Sequence, residues 1–295
     1  MSEEARSSSE EPALFPWLQH HSLSASVFFS GSLCGRSDHG PDDGPGDSHG
    51  HLHLLRRGAL SLKTRGGAVR RIDRPSLILF ARPQHHRLEA EEQPGAELVC
   101  ARLTFAGPEA DLLLLGLPEP LVVPLDALTG LGPVLERLFD EAFTPAFGHR
   151  VAVDLIIELL LVMLLRHCIA EGLTEKGLLA GLADPKLARA LTAMHEQPAA
   201  ALNIERLAEI AGMSRSNFAA AFKQSVGSSP GDYLTTLRLA LAKQALLQGR
   251  PLKAVAPLAG YKSSTALARA FQRQFGCGPR DWLARQRQKP ETTDA

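Results

Sequence analysis

The chain has 295 residues, 44% hydrophobic and 5% aromatic, with 32 Lys and Arg against 32 Asp and Glu. That composition excludes global disorder, and the longest apolar stretch, Val151 to Leu165, is interrupted by Asp154 and Glu158, which excludes a membrane span of about 20 apolar residues. The zero net charge divides by position. Residues 1–183 carry 16 basic and 24 acidic side chains, a net of −8, whereas residues 184–295 carry 16 and 8, a net of +8, so the back half is the one suited to a polyanion.

In chain order, MSEEARSSSEEPALFP opens with acids where an export signal would place basic residues before an apolar run. The expectation is a cytoplasmic protein without membrane contact, with residues 1–22 disordered and with Cys34, Cys100, Cys168 and Cys277 as reduced thiols. GRSDHGPDDGPGDSHGHLH follows Cys34 and predicts a mobile loop. From His51 to Phe105, the short apolar runs HLHLLRRG, ALSLKT, SLILFA and ELVCARLTF predict strands.

Two chemistries suit this front half. His49, His51 and His53 alternate and therefore share one strand face, where His85 or His86 can join them. Imidazoles so spaced suit zinc, copper, nickel or iron, and His51, His53 and His86 are the candidate ligands of a divalent metal; no other cofactor is expected. For redox sensing, Cys34 precedes Gly35 and Arg36 with His39 nearby, which predicts an accessible thiol in a positive setting. Cys100 lies mid-strand between Val99 and Ala101 and also fits a buried small hydrophobe. Cys168 and Cys277 read as structural.

From Pro133 the apolar spacing becomes helical: PVLERLFDEAF, RVAVDLIIELLLVMLLRHCIAEG and DPKLARALTAMHEQ. The second of these is apolar on nearly every side, which predicts burial against the front half and against a second subunit in a homodimer. Beyond it the sequence repeats. A shift of 49 residues superposes Ser214 on Ser263, Phe222 on Phe271, Gly227 on Gly276, Pro230 on Pro279, Asp232 on Asp281, Tyr233 on Trp282 and Leu234 on Leu283. In the first copy Asn203 caps a short helix ending at Gly212, and Ser214 caps the next; in the second copy Ser263 does so. A short helix, a tight turn and a second capped helix form a helix-turn-helix unit, whose second helix enters the major groove. The connecting helix carries an apolar stripe, and two such units in successive grooves would lie ~34 Å apart.

LAEIAGMSRSNFAAAFKQSVGSSPGDYL, RLALAKQALL and GYKSSTALARAFQRQFGCGPRDWL resemble the DNA-binding domain of the AraC/XylS family of bacterial transcription regulators. The front half from Val27 through Phe105 is similar to the cupin-type sensor domain that precedes it, and FFSGSLCG with LVCARLTF looks most like the reactive-chlorine-sensing, RclR-type subgroup. That resemblance implies cysteine oxidation at Cys34 and Cys100. It also implies an α+β fold of two domains: a cupin-like β-barrel over residues 1–132, a helical linker or dimerisation segment over 133–183, and an all-α double helix-turn-helix domain over 184–289. Promoter DNA, RNA polymerase and a small-molecule or oxidant effector are the expected partners. A metal-responsive regulator using His49, His51, His53 and His86 is the alternative. A cupin metalloenzyme is disfavoured, because Arg56 and Arg57 stand where catalytic cupins have a carboxylate. One departure from the family is Pro257, inside the first helix of the second unit, where it predicts a short or bent helix.

The expected DNA contacts are Ser214, Arg215, Ser216, Asn217, Ala219, Ala220 and Lys223 in the first unit. In the second they are Lys262, Ser263, Ser264, Thr265, Ala268, Arg269 and Arg273. Arg269 suits guanine, whose O6 and N7 a guanidinium can bond together, and Lys223, Lys262 and Arg273 suit phosphates.

Overall fold

The computed structural model describes residues 22–40, 49–67, 69–106, 110–114, 116–144 and 146–287. Strands β1 (Ser22–Leu33), β8 (Ala96–Ala106), β3 (Gly50–Arg57), β6 (Ser76–Phe80) and β9 (Leu121–Pro124) form one antiparallel sheet in that order. A smaller antiparallel sheet runs β2 (Gly35–His39), β7 (His86–Ala90), β4 (Leu60–Thr64) and β5 (Arg70–Ile72). Strand β3 is apolar at consecutive positions because both its faces are covered. Leu55 packs with Ile78, Phe80, Leu98 and Cys100 against Leu60, Leu62 and Leu88 of the small sheet. Leu52 and Leu54 join Leu77, Leu79, Val99 and Ala101 in a core shared with helices. Alternation along the strand puts His51 and His53 on the Leu55 side, between the sheets.

The barrel expected from the sequence is not closed: among the described residues the two sheets share no hydrogen-bonded strand pair. The outer edge of β1 is met by a helix instead. In α3 (His149–Ala170), the two acids that interrupt the apolar run accept from that edge, Asp154 Oδ1 from Val27 N at 2.7 Å and Glu158 Oε1 from Ala25 N at 3.3 Å. An edge whose N–H groups are taken up by carboxylates needs no further strand. The loop expected after Cys34 is likewise corrected, since Gly35–His39 pairs with β7 as strand β2 and β3 begins at Gly50; residues 41–48 lie outside the described residues, as do residues 1–21 of the expected disordered segment.

Helices α1 (Ala110–Leu114) and α2 (Gly132–Phe143) precede α3, and α4 (Leu178–Ala183) and α5 (Pro185–Glu196) follow it. Seven residues of α3 are buried, among them Leu160, Leu161 and Leu164, and Val151, Leu155 and Leu159 remain exposed at intervals of four. The first helix-turn-helix unit is α6 (Ile204–Ala211) and α7 (Arg215–Val226), the connector is α8 (Pro230–Leu247), and the second unit is α9 (Leu252–Leu258) and α10 (Ser264–Phe275), followed by α11 (Pro279–Arg287). Pro257 sits inside α9, which has seven residues, as a proline that removes a helical hydrogen bond predicts.

The caps fall where the sequence places them. Asn203, Ser214 and Ser263 accept from the backbone N–H of Arg206, Asn217 and Ala266, each such cap contributing about 1 kcal/mol. The turn between α6 and α7 requires Gly212, which ends α6 in the left-handed region at φ 65°. Arg238 of α8 braces the first unit, its Nε donating to Pro198 O at 2.7 Å and its Nη2 to Ala200 O at 2.8 Å. Gly260 makes room for that guanidinium, since a Cβ there would stand 2.8 Å from Arg238 Nε. Two cores result. Phe218 and Phe222 belong to the large core that runs from the five-stranded sheet to α8, whereas Leu267, Ala270 and Phe271 form a separate small core with Leu239, Leu246 and Val255.

Candidate DNA-contact surface and histidine cluster

On α7 the apolar positions Phe218, Phe222 and Val226 face the core, which turns the opposite side outward. Ser214, Arg215, Ser216, Asn217, Ala220 and Lys223 are exposed and Ala219 is half-buried. On α10, Leu267, Ala270 and Phe271 are buried, leaving Lys262, Ser263, Thr265, Arg269 and Arg273 exposed and Ser264 and Ala268 half-buried. All fourteen expected contacts thus lie off the cores. Two exposed glutamines extend these faces, Gln224 and Gln272; each lies seven residues beyond an expected contact, Asn217 and Thr265, a two-turn spacing that identifies them in the sequence as well.

One contact is less available than its sequence position suggests. Arg215 Nη1 lies 3.0 Å from Glu205 Oε1 on α6. Both side chains are exposed, so this pair is weak and exchangeable.

The cysteines separate. Cys34 is exposed in the break between β1 and β2, and a Cβ on Gly95 would come within 3.0 Å of its Sγ, so glycine there keeps space beside the thiol. Cys100 is buried, and burial pushes its thiol up to about 12, the reverse of a reactive thiolate. Its partner across β1 is Phe29, five residues from Cys34, which is about 16 Å along a strand. A disulfide needs Cα atoms within about 7 Å, so these two thiols cannot join while the sheet is intact. Cys168 is buried too, its thiol raised to about 11, and Cys277 is buried.

Between the sheets His51, His53 and His86 converge, and His39, which the sequence offered only as a neighbour of Cys34, joins them from β2. The six ring-to-ring distances among these four run from 4.8 to 6.1 Å. The protons can be assigned. His86 Nδ1 is 2.8 Å from the Gln84 carbonyl oxygen, which can only accept, so Nδ1 carries hydrogen and Nε2 is the acceptor. His53 Nε2, 2.8 Å from His86 Nε2, is then the donor. Burial pushes His86 down to about 3 and His53 well below the usual imidazole range, so both rings are neutral, and it is this that leaves His86 Nε2 as the acceptor. Among the described residues no group of three or more His, Cys, Asp or Glu side chains is arranged to hold a metal ion. Arg56 is on the far side of β3, its guanidinium 5.0 Å from the Phe143 ring centroid.

Neutral buried histidines make stability depend on pH. Their folded pKa lies below the unfolded value of about 6.5, so the unfolded chain binds protons first and stability falls as pH drops from about 6.5 toward 3. His86 alone is expected to cost about 2 kcal/mol by pH 5. Urea midpoints at pH 7 and pH 5 check this, and an unchanged midpoint would sink it.

A cupin family model matches residues 14–170 and a helix-turn-helix domain family matches residues 207–285. An uncharacterized HTH-type transcriptional regulator of Haemophilus influenzae is 34% identical over 187 residues, 63% of this chain and 62% of its own length; the match thus spans less than two thirds of that protein. A putative AraC-like transcription regulator of Streptomyces antibioticus is 35% identical over 214 residues, 69% of each chain. The RCS-specific HTH-type transcriptional activator RclR of Escherichia coli is 31% identical over 241 residues, 80% of this chain and 84% of its own. Among the described residues no helix is long and apolar enough to cross a membrane.

Proposed function

Because the chain belongs to the AraC-like transcription regulators, with a cupin-type front half and a helix-turn-helix DNA-binding back half, we propose that it reads promoter DNA through α7 and α10 under control of a signal received by the sheets. The observation that carries this is the paired outward display of capped recognition helices on the half with net charge +8. Arg269, exposed one turn into α10, is the base reader of the second unit, and Lys223, Lys262 and Arg273 hold phosphates. The first unit has Ala220 at the position of Arg269 in the 49-residue register, and a methyl group discriminates bases less than a guanidinium does. We assign stronger sequence preference to the second half-site. Replacing Arg269 with Ala should cost about 1–3 kcal/mol on the cognate duplex and flatten preference at one base pair. Gel-shift titration over a set of single-base variants measures it, and an unaltered preference profile would remove Arg269 from the reading role.

For the signal, the exposed position of Cys34 supports an oxidant acting there, in a cytoplasm that keeps the thiol reduced at rest. Cys100, buried and protonated, is a packing residue in this reading. Hypochlorite at substoichiometric dose should modify Cys34 before the other three cysteines, read by mass spectrometry of peptides, and should change duplex affinity in the wild-type chain and leave it unchanged in Cys34→Ser. Modification that begins at Cys100 would overturn the assignment.

A further inference from the structure

The small sheet has an open end. There β2 stops at His39, β4 stops at Thr64 and β7 begins at His86, and the three strand ends surround a cavity of about 210 Å³. Its polar lining includes Lys63, Arg65, Arg87 and Asp38, with His39 and His86 of the histidine cluster also on its wall.

The charges of this lining do not balance. Lys63 and Arg87 are direct cross-strand partners of β4 and β7, and like charges set opposite one another destabilise a sheet unless something compensates them. Among the described residues Asp38 is the one carboxylate on the cavity wall, and it is already engaged twice: Arg87 Nε donates to its Oδ1 at 2.6 Å, and Arg36 Nε donates to its Oδ2 at 2.8 Å. These two guanidinium contacts hold its carboxyl below the usual carboxylate range. On the cavity wall, among the described residues, Lys63, Arg65 and Arg87 bring three positive charges to the single negative charge of Asp38. This excess sits in the half of the chain whose own balance is −8, so it is not a local sample of a basic background. A cross-strand clash of cations at the mouth of a cavity is the kind of local rule-breaking that a bound group explains.

We propose that this cavity binds a small oxyanion, a short carboxylate or an inorganic phosphate-like ion, between Lys63, Arg65 and the Arg87 guanidinium. A guanidinium presents paired N–H donors that match two oxygens of either anion, and an ammonium adds a point charge. The volume is below the roughly 300–1,000 Å³ of sites for drug-sized ligands, which restricts the occupant to a small ion. The site stands against His39 and His86, so an anion here touches the same inter-sheet cluster that links β2, which follows Cys34, to β3 and β7. The inference deepens the reading of the front half as the signal-receiving half and rests on it; it does not depend on which residues touch DNA.

The test uses the full chain. Equilibrium dialysis with inorganic phosphate, and calorimetric titration with phosphate and with succinate, are run at constant ionic strength with sodium chloride as reference. The expected result is one saturable site for phosphate, for succinate or for both; the two arms separate an inorganic ion from a carboxylate. Lys63→Gln combined with Arg65→Gln should weaken that site by about tenfold or more, whereas Arg215→Ala combined with Arg269→Ala, in the basic back half, should leave it unchanged. Both residues replaced in the first pair are exposed, so the fold does not depend on them, and the urea midpoint of each variant verifies this. Wild-type affinity in the Lys63/Arg65 pair, loss of the site in the back-half pair, or no saturable binding of either anion up to about 10 mM would overturn the proposal. Duplex affinity of the same preparations keeps the two readings apart. A chain that binds its duplex and no anion refutes the cavity alone, and a chain that binds the anion and no duplex refutes the DNA reading alone.

Discussion

Between 50 and 200 mM salt, the affinity of this chain for its duplex should fall by about 150-fold. The figure follows from counterion release, in which the logarithm of affinity falls with the logarithm of salt at a slope of about −0.9 for each neutralised phosphate. Lys223, Lys262 and Arg273 stand exposed at the margins of the recognition helices, and Arg215 is a fourth cation at the start of α7. Four phosphates over a fourfold rise in salt give a slope of about −3.6. The state of Arg215 is legible in the same measurement. If it stays on Glu205 rather than moving to a phosphate, the slope is about −2.7 and the loss about 40-fold. Glu205→Gln should then steepen the slope by about 0.9. Fluorescence anisotropy of a labelled duplex across the salt series gives the slope, and a value shallower than about −2 would mean that the phosphates are held elsewhere. Longer duplexes should not steepen it much, because the front half carries a net charge of −8 and is repelled by DNA rather than recruited to it.

The back half could be read from its sequence because its determinants are local. A cap at Ser214, a left-handed glycine at Gly212 and a buried pair at Phe218 and Phe222 each act within a turn or two of helix, and the 49-residue repeat displays each of them twice or nearly so. The pairing of Arg215 with Glu205 also belongs to neighbouring helices, yet nothing in a sequence says which of several exposed ions an arginine will choose. The front half depends on contacts between distant residues, and there the sequence was a poorer guide. Gly35–His39 carries so many turn-forming residues downstream that it reads as loop, but pairing with β7 makes it a strand and carries His39 into the histidine cluster. Asp154 and Glu158 argued correctly against a membrane span. That they would reach across to Val27 and Ala25 and close the edge of the sheet needs 127 and 133 residues of chain to be folded first. Cys34 and Cys100 look equivalent as letters, and only the register that sets Cys100 against Phe29 and His53 removes one of them from solvent.

The division of the helical half into two unequal cores has the largest expected consequence for a single substitution. Phe271→Ala should remove about 3–5 kcal/mol, the usual cost of deleting a buried phenylalanine side chain. In the large core such a loss is spread over a network running from the sheets to α8. The second unit has no such reserve: Phe271 is fully buried in a cluster of nine buried residues, and it meets Phe275 at a tilt and Trp282 edge-on, at ring distances of 4.6 and 5.7 Å. A deficit of that size approaches the whole stability of a small folding unit. The second unit is therefore expected to melt while the first, whose Phe218 and Phe222 belong to the other core, stays folded. Hydrogen exchange should show protection lost from α9, α10 and α11 and kept in α6 and α7. On DNA the footprint should shorten to one half-site, and affinity should fall as far as it would if α10 were deleted. Phe222→Ala, placed in the joint core, should instead lower protection in both the first unit and the helices against the sheet. If Phe271→Ala lowered protection evenly across residues 185–287, the two units would share one cooperative core, and the independence of the second half-site would be lost with it.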